Sequence, residues 1–133
     1  YCMMGDGETQ AGQIWEAAML AGRHALDNLC GILDYNQVQQ TGKVAERLNI
    51  EPVVAKWRAF NWHVREIDGH DMAQIVDALD EAELISGRPT LIVSHTVKGK
   101  GVSWMELNAS WHGKAPKPDE LERALGEIRG DRG

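Results

Sequence analysis

An aspartate between two glycines, Gly5-Asp6-Gly7, is followed by Asn36 after residues 8–35, a gap of 28 residues. Both side chains offer hard oxygen atoms. With a backbone carbonyl from the loop after Asn36, they would supply three oxygens of an octahedral Mg2+ shell, which phosphates and water usually complete. The glycines let another group approach the backbone closely. The competing reading is structural, with Asp6 capping the next helix and Asn36 making a turn. His112 stands in Ser110-Trp111-His112-Gly113-Lys114. Beside a phosphate such a histidine could steer charge and move protons near neutral pH; away from one it is a solvated loop residue. Lys98 and Lys114 could reach diphosphate oxygens as point charges, or stand as surface lysines. Glu16, between Trp15 and Ala17, is either a buried relay or interface carboxylate or an exposed helix glutamate. His95 is expected at a strand end in a structural role, and His24, His63 and His70 have no comparable context.

These residues need a scaffold that brings distant positions together. Tyr1-Cys2-Met3-Met4 reads as a strand running into Gly5-Asp6-Gly7, and Gly12 to Leu26 carries helical spacing dense in alanine. Leu29 to Tyr35 is an apolar run of the kind a parallel sheet buries, ending at Asn36. The interval between Asp6 and Asn36 is thus one right-handed crossover, which would set both at the tips of neighbouring parallel strands. Residues 37–43 are polar and read as a loop, and 44–48 as a short helix at best. A helix then starts with Pro52 in its first turn, with Val53, Val54, Trp57 and Phe60 on its apolar side. A third strand follows over Trp62 to Ile67. Asp71 caps a helix to about Ser86, with Met72, Ile75, Val76, Leu79 and Leu84 on one face. Thr90 to Val97 is the fourth strand. Lys98 to Gly101 is a glycine-lysine loop, and the stretch to residue 118 exceeds a normal connection, which points to an ordered functional loop. Lys117 to Ile128 reads as an amphipathic helix with Leu121, Leu125 and Ile128 inward, and 129–133 as a frayed end. The alternation predicts an α/β fold, a parallel sheet with helices on both faces. In such sheets, ligands bind at the carboxyl ends of the strands.

The 133 residues suffice for one domain with a core. A net charge of −6 offers no basic face to nucleic acid or an anionic membrane. No apolar run is long enough to span a bilayer and no leader is recognisable, so the cytoplasm is the expected location. Cys2 and Cys30 fall in apolar runs and are expected as buried reduced thiols. The chain opens at Tyr1, inside a core strand, which suggests a fragment, a processed product or one piece of a split enzyme.

Gly5-Asp6-Gly7 with Asn36 at this distance resembles the thiamine diphosphate signature. Gly12-Gln13-Ile14-Trp15-Glu16-Ala17-Ala18-Met19, Leu26-Asp27-Asn28-Leu29, Lys98-Gly99-Lys100-Gly101 and Trp111-His112-Gly113-Lys114 narrow the resemblance to the transketolases, in particular to the N-terminal section of the split, two-subunit kind. It runs over essentially the whole chain. It implies that residues 1–133 form the second half of a diphosphate-binding domain, with 98–118 as a cofactor-site loop and 119–133 as a terminal helix and tail. It implies thiamine diphosphate and Mg2+ (or Ca2+) as cofactors. Asp6 and Asn36 would be side-chain metal ligands and Val38 would give its carbonyl. Gly5 and Gly7 would line the cofactor, with Lys98 and Lys114 close to it. His112 would contact cofactor and substrate and assist proton transfer, and Glu16 would join a carboxylate network between active sites. The implied activity is transfer of a two-carbon ketol unit between sugar phosphates, in the manner of the pentose phosphate pathway.

Two positions depart from the family pattern: Ala11 stands where many transketolases have a networked glutamate, and Gln40 where an apolar residue packs near the cofactor. The upstream histidines and glycines of the domain, the pyrimidine-binding domain with its activating glutamate, and the C-terminal domain are not in the sequence. The resemblance therefore implies a partner, a C-terminal subunit carrying the pyrimidine-binding domain, in a homodimer or heterotetramer. The alternatives are a non-catalytic assembly module or truncated paralogue, and a related dihydroxyacetone, sulfosugar or 1-deoxyxylulose synthase.

Overall fold

A computed structural model describes residues 1–130. Its frame is a four-stranded sheet of β1 (Cys2–Gly5), β2 (Cys30–Tyr35), β5 (His63–Asp68) and β6 (Thr90–His95), in the order β1-β2-β6-β5 and parallel throughout. The register aligns Gly5 with Asp34, and Asp34 with Ser94, so the carboxyl ends of the three strands that lead to Asp6, Asn36 and Thr96 finish level with one another.

Successive side chains of a strand point to opposite faces, and each face has its own helices. Leu33, Leu91 and Val93 join Ala18 and Ala21 of α1 (Gly12–Arg23) and Val53 and Trp57 of α3 (Val53–Ala59) in one core. Ile92, Cys30 and Ile67 join Ala78 and Ala82 of α4 (Met72–Leu84) in the other. Helices therefore lie on both faces, as the alternation predicts. The first core is the larger and holds a ring of aromatics. Trp57 is 4.7 Å from Trp62 and 5.6 Å from Trp15 between centroids, and the Trp62 indole donates to the Ala18 carbonyl at 2.9 Å.

Several local expectations need correction. α1 ends at Arg23 rather than Leu26, because Ala25 turns into the left-handed region at φ 51° and aims the chain at β2. Residues 38–43 are a small antiparallel hairpin, β3 (Val38–Gln39) with β4 (Gly42–Lys43), leading into the short α2 (Val44–Arg47). Pro52 precedes α3 in extended conformation instead of lying inside it. α4 is capped by Asp71, whose carboxylate accepts from Ala73 and Gln74, but it stops at Leu84 because Ile85 is extended. Its inward stripe is Ile75, Ala78, Leu79 and Ala82, at i, i+3, i+4 and i+7, whereas Met72, Val76 and Leu84 are exposed. Cys2 is exposed on edge strand β1 and only Cys30 is buried; both are free thiols.

The terminal helix, α5, runs Pro118–Arg129 and closes on a left-handed Gly130, so residue 129 is helical rather than frayed. The rest of the expected frayed tail, 131–133, lies outside the described residues. Of the three expected inward residues, Leu121 and Ile128 are exposed and Leu125 half-buried; Ala124 is the buried one. The reason is that α5 packs on the long loop: Arg123 lies over the Trp104 ring, and the Glu127 carboxylate accepts from the Ser103 N–H at 2.6 Å.

Candidate functional site

Asp6 follows β1 directly and is 2 % exposed. Its carboxylate accepts from the Gly7 N–H at 2.7 Å and from the Gln37 N–H, so it ties the tip of β1 to the loop after β2. Burial pushes its carboxyl up from the usual aspartate range. The two N–H donors and the positive charge of Lys98 work against that rise, and the negative charge of Asp34 adds to it. Asn36, also buried, accepts from the Val38 N–H at 2.9 Å and donates through Nδ2 to Asp34 at 2.7 Å. Asp34 is half-buried, and its second oxygen accepts from the Thr96 hydroxyl.

Three strand tips thus converge. β1 brings Asp6, β2 brings Asp34 and Asn36, and the exit of β6 brings Thr96, Val97 and Lys98. The exit of β5 is pressed onto the same place. A Cβ on Gly69 would fall 2.1 Å from the Ser94 hydroxyl oxygen, so only glycine fits there. The Gly69 N–H donates to the His95 carbonyl at 2.8 Å, and the next residue, His70, accepts the Val97 N–H on Nε2 at 2.8 Å. His70, which no sequence motif singles out, therefore braces the backbone immediately before Lys98.

The donors present fit a hard cation. A carboxylate has about four lone-pair positions, and each oxygen of Asp6 uses one on a backbone N–H. Among the described residues both of its partners are N–H groups, so the negative charge of the ionised form would be balanced by a cation. Among the described residues no group of three or more His, Cys, Asp or Glu side chains is placed to hold a metal by itself, so a cation here would draw on the Asn36 amide and peptide oxygens beside Asp6. Carboxylate, amide and peptide oxygens are the set Mg2+ and Ca2+ accept.

The glycines differ from each other. The space where a Gly5 side chain would stand is open, with no atom within 4 Å. Over Gly7 lies Gln39, whose Cβ would be 2.9 Å from one on Gly7. Gln39 in turn accepts from Gln10 at 2.7 Å. Gln40 is exposed, and Val38 is buried.

The long loop is ordered around its own tryptophans. The Leu107 N–H donates to the Lys98 carbonyl at 2.9 Å, and Trp104 stacks edge-on with Trp111 at 4.8 Å. Lys98 and Lys114 line one cavity of about 290 Å3, with Trp111 and Ile128 in its wall. Lys114 lies 3.8 Å from the Trp111 ring centroid and 3.3 Å from Glu120. His112 follows at the end of a short 3₁₀ turn with its side chain exposed and, among the described residues, free of hydrogen bonds or ion pairs. Glu16 is likewise exposed on α1 and has no such partner among the described residues. Ala11 begins α1 without a side-chain cap. A separate cavity of about 470 Å3, lined by Tyr1, Asp27, Cys30 and Glu83 among others, shares no residue with the strand-tip cluster.

An open parallel sheet whose buried acidic and amide side chains meet at its carboxyl edge has the layout of an α/β ligand-binding domain. Residues 1–128 match the family model described as transketolase, thiamine diphosphate binding domain. The chain belongs to the transketolase family. It is 43% identical over 128 residues to a 6-deoxy-6-sulfo-D-fructose transketolase subunit of Clostridium sp. (strain MSTE9), covering 96% of this chain and 46% of that protein. To an apulose-4-phosphate transketolase subunit of Phocaeicola vulgatus it is 41% identical, with the same coverage. The crystal structure of transketolase from Campylobacter jejuni superposes with a TM-score of 0.88 at 35% identity, over 97% of this chain and 20% of that one. The chain spans about half the length of the split-subunit relatives it matches, 46% of each.

Proposed function

We propose that this chain is the part of a transketolase N-terminal section that anchors thiamine diphosphate through Mg2+, in an enzyme that moves a two-carbon ketol unit from a ketose phosphate to an aldose phosphate. The observation that carries the reading is the convergence of buried Asp6 and Asn36 at neighbouring strand tips, with Lys98 close enough for its charge to act on Asp6. Asp6 and Asn36 would hold the cation through their side chains and Val38 through its carbonyl. Gly5, with open space above it, would receive the diphosphate against the backbone, and Gly7 would do so on the side that Gln39 does not cover. Lys98 and Lys114 would neutralise its oxygens, as lysines do for phosphates. When bound, the cofactor supplies the carbanion chemistry, and the protein supplies position and electrostatics. His112, exposed beside Trp111, would accept or return a proton at its imidazole and contact the sugar. Glu16, exposed on α1, would meet a neighbouring subunit.

Activity would require a C-terminal subunit carrying the pyrimidine-binding domain, in a homodimer or heterotetramer, and the cytoplasm is the compartment the reading implies. The donor is a modified ketose as readily as one of the pentose phosphate pathway, because the sulfofructose and apulose-phosphate relatives, at 43% and 41%, exceed the 35% identity to human transketolase. The test is to combine the full chain with candidate C-terminal subunits and assay ketol transfer from several ketose donors, with and without a chelator. Transfer that depends on mixing and on Mg2+, and that is lost in Asp6→Ala, is the expected result. Ketol transfer by this chain alone, or transfer untouched by chelation, would refute it.

A further inference from the structure

Residue 34 touches every strand tip that contributes to the site. Its carbonyl accepts the Asp6 N–H at 3.2 Å, one carboxylate oxygen accepts Asn36 Nδ2 at 2.7 Å, and the other accepts the Thr96 hydroxyl. An amide side chain can rotate to present either its oxygen or its nitrogen, and only the oxygen can bind a cation. A carboxylate beside Nδ2 accepts but does not donate, so it forces the nitrogen of Asn36 toward itself and leaves Oδ1 on the other side, where it meets the Val38 N–H. The same carboxylate pins the Thr96 side chain, and Val97 and Lys98 follow in the chain. A side chain on β2 thereby sets both the donor atom of one proposed metal ligand and the starting point of the lysine loop.

We infer that Asp34 is a positioning residue for the cation site, which orients the Asn36 amide and ties it to the β6 exit that carries Lys98. The inference rests on the functional reading above. A partner of this kind, one contact removed from a metal, typically changes metal affinity by about 10–100-fold.

The test uses the full chain with the C-terminal subunit that restores ketol transfer. Mg2+ and thiamine diphosphate are titrated calorimetrically into wild type, Asp34→Asn, Thr96→Val and the double variant, and thermal unfolding without ligand is followed in parallel. Asparagine keeps the size of Asp34 but cannot accept from both partners at once. Asp34→Asn is expected to weaken Mg2+ binding by about 10–100-fold, to raise the cofactor concentration needed for half-maximal rate, and to leave the rate at saturating cofactor and Mg2+ far less affected. Thr96→Val should show a smaller loss that is not additive with Asp34→Asn. The reciprocal pair Asp34→Asn with Asn36→Asp, which restores a donor facing a carboxylate, should recover part of the Mg2+ affinity. If Asp34→Asn binds Mg2+ as wild type does, or loses rate at saturation without losing affinity, the inference falls and the functional reading stands. If wild type itself binds neither Mg2+ nor thiamine diphosphate, both fall.

Discussion

The strand tips and the long loop are built in opposite ways. At the tips, Asp6, Asp34 and Asn36 lie at or near the floor of the site and are held by hydrogen bonds from three directions. In the loop, His112 and Lys114 are exposed, and what holds the segment is tryptophan stacking and the contact of α5. In the proposed reading the first region is the one that holds a fixed charge. The second offers exposed side chains to a ligand or a partner, Lys114 tied to Trp111 and Glu120 and His112 without a hydrogen bond among the described residues. In a cofactor enzyme this division suits an anchor that does not move and a reactive edge that must admit and release substrate.

The sharpest way to break the comparison is to remove the anchor. Asp6→Ala should reduce Mg2+-dependent thiamine diphosphate binding by more than about 100-fold, since loss of a mere supporting partner costs that much; calorimetry on the assembled protein measures it. Next, His112→Ala should lower ketol-transfer turnover by about 100-fold, the modest end of acid–base contributions, yet leave cofactor affinity within a small factor, as a steady-state assay with cofactor titration would show. Lys98→Met should weaken cofactor binding by about 10-fold and push the Asp6 carboxyl higher still, because the Lys98 charge holds it down.

The pH dependence follows from that raised carboxyl. A proton and the cation compete for Asp6, so Mg2+ affinity should begin to fall at a pH above that of an ordinary aspartate, about 3.9. For the ligand-free protein the sign is opposite. The folded state holds its proton more tightly than the unfolded one, so the stability Asp6 contributes is present below the unfolded value and is lost as pH rises through the raised one. Urea midpoints with and without Mg2+ across that range should diverge accordingly. The smallest effect lies away from both regions: Ala11→Ser would add the cap that α1 lacks and raise stability by about 1 kcal/mol, read from the urea midpoint.

The meeting of Asp6 and Asn36 at neighbouring strand tips is legible in the sequence because their spacing is set by one local crossover. Glycines mark Asp6, a strand-length apolar run ends at Asn36, and the helix between them has clear periodicity. The residues that brace the anchor are not legible. Thr96 lies 62 residues from Asp34 and Val97 lies 27 from His70, and nothing near either partner announces the pairing. One sign is available for Asp34. It stands two residues before Asn36 on the same run, and strand alternation puts such residues on one face. The β3–β4 hairpin escapes a sequence reading because two-residue strands carry no periodic signal. The leucine spacing of α5 misleads because it suggests a helix facing a sheet, whereas this helix meets the loop, and there the small Ala124 is what closes the contact.

The five tryptophans fall into two groups that coincide with this division. Trp15 of α1, Trp57 of α3 and Trp62 cluster in the core, while Trp104 and Trp111 stack in the loop under the cations of Arg123 and Lys114. The molecule therefore carries two optical reporters of its own. With Trp104 and Trp111 replaced by phenylalanine, the remaining emission follows melting of the core; with the core set replaced instead, iodide quenching and anisotropy follow the loop alone, and a cofactor that orders it would be seen as light.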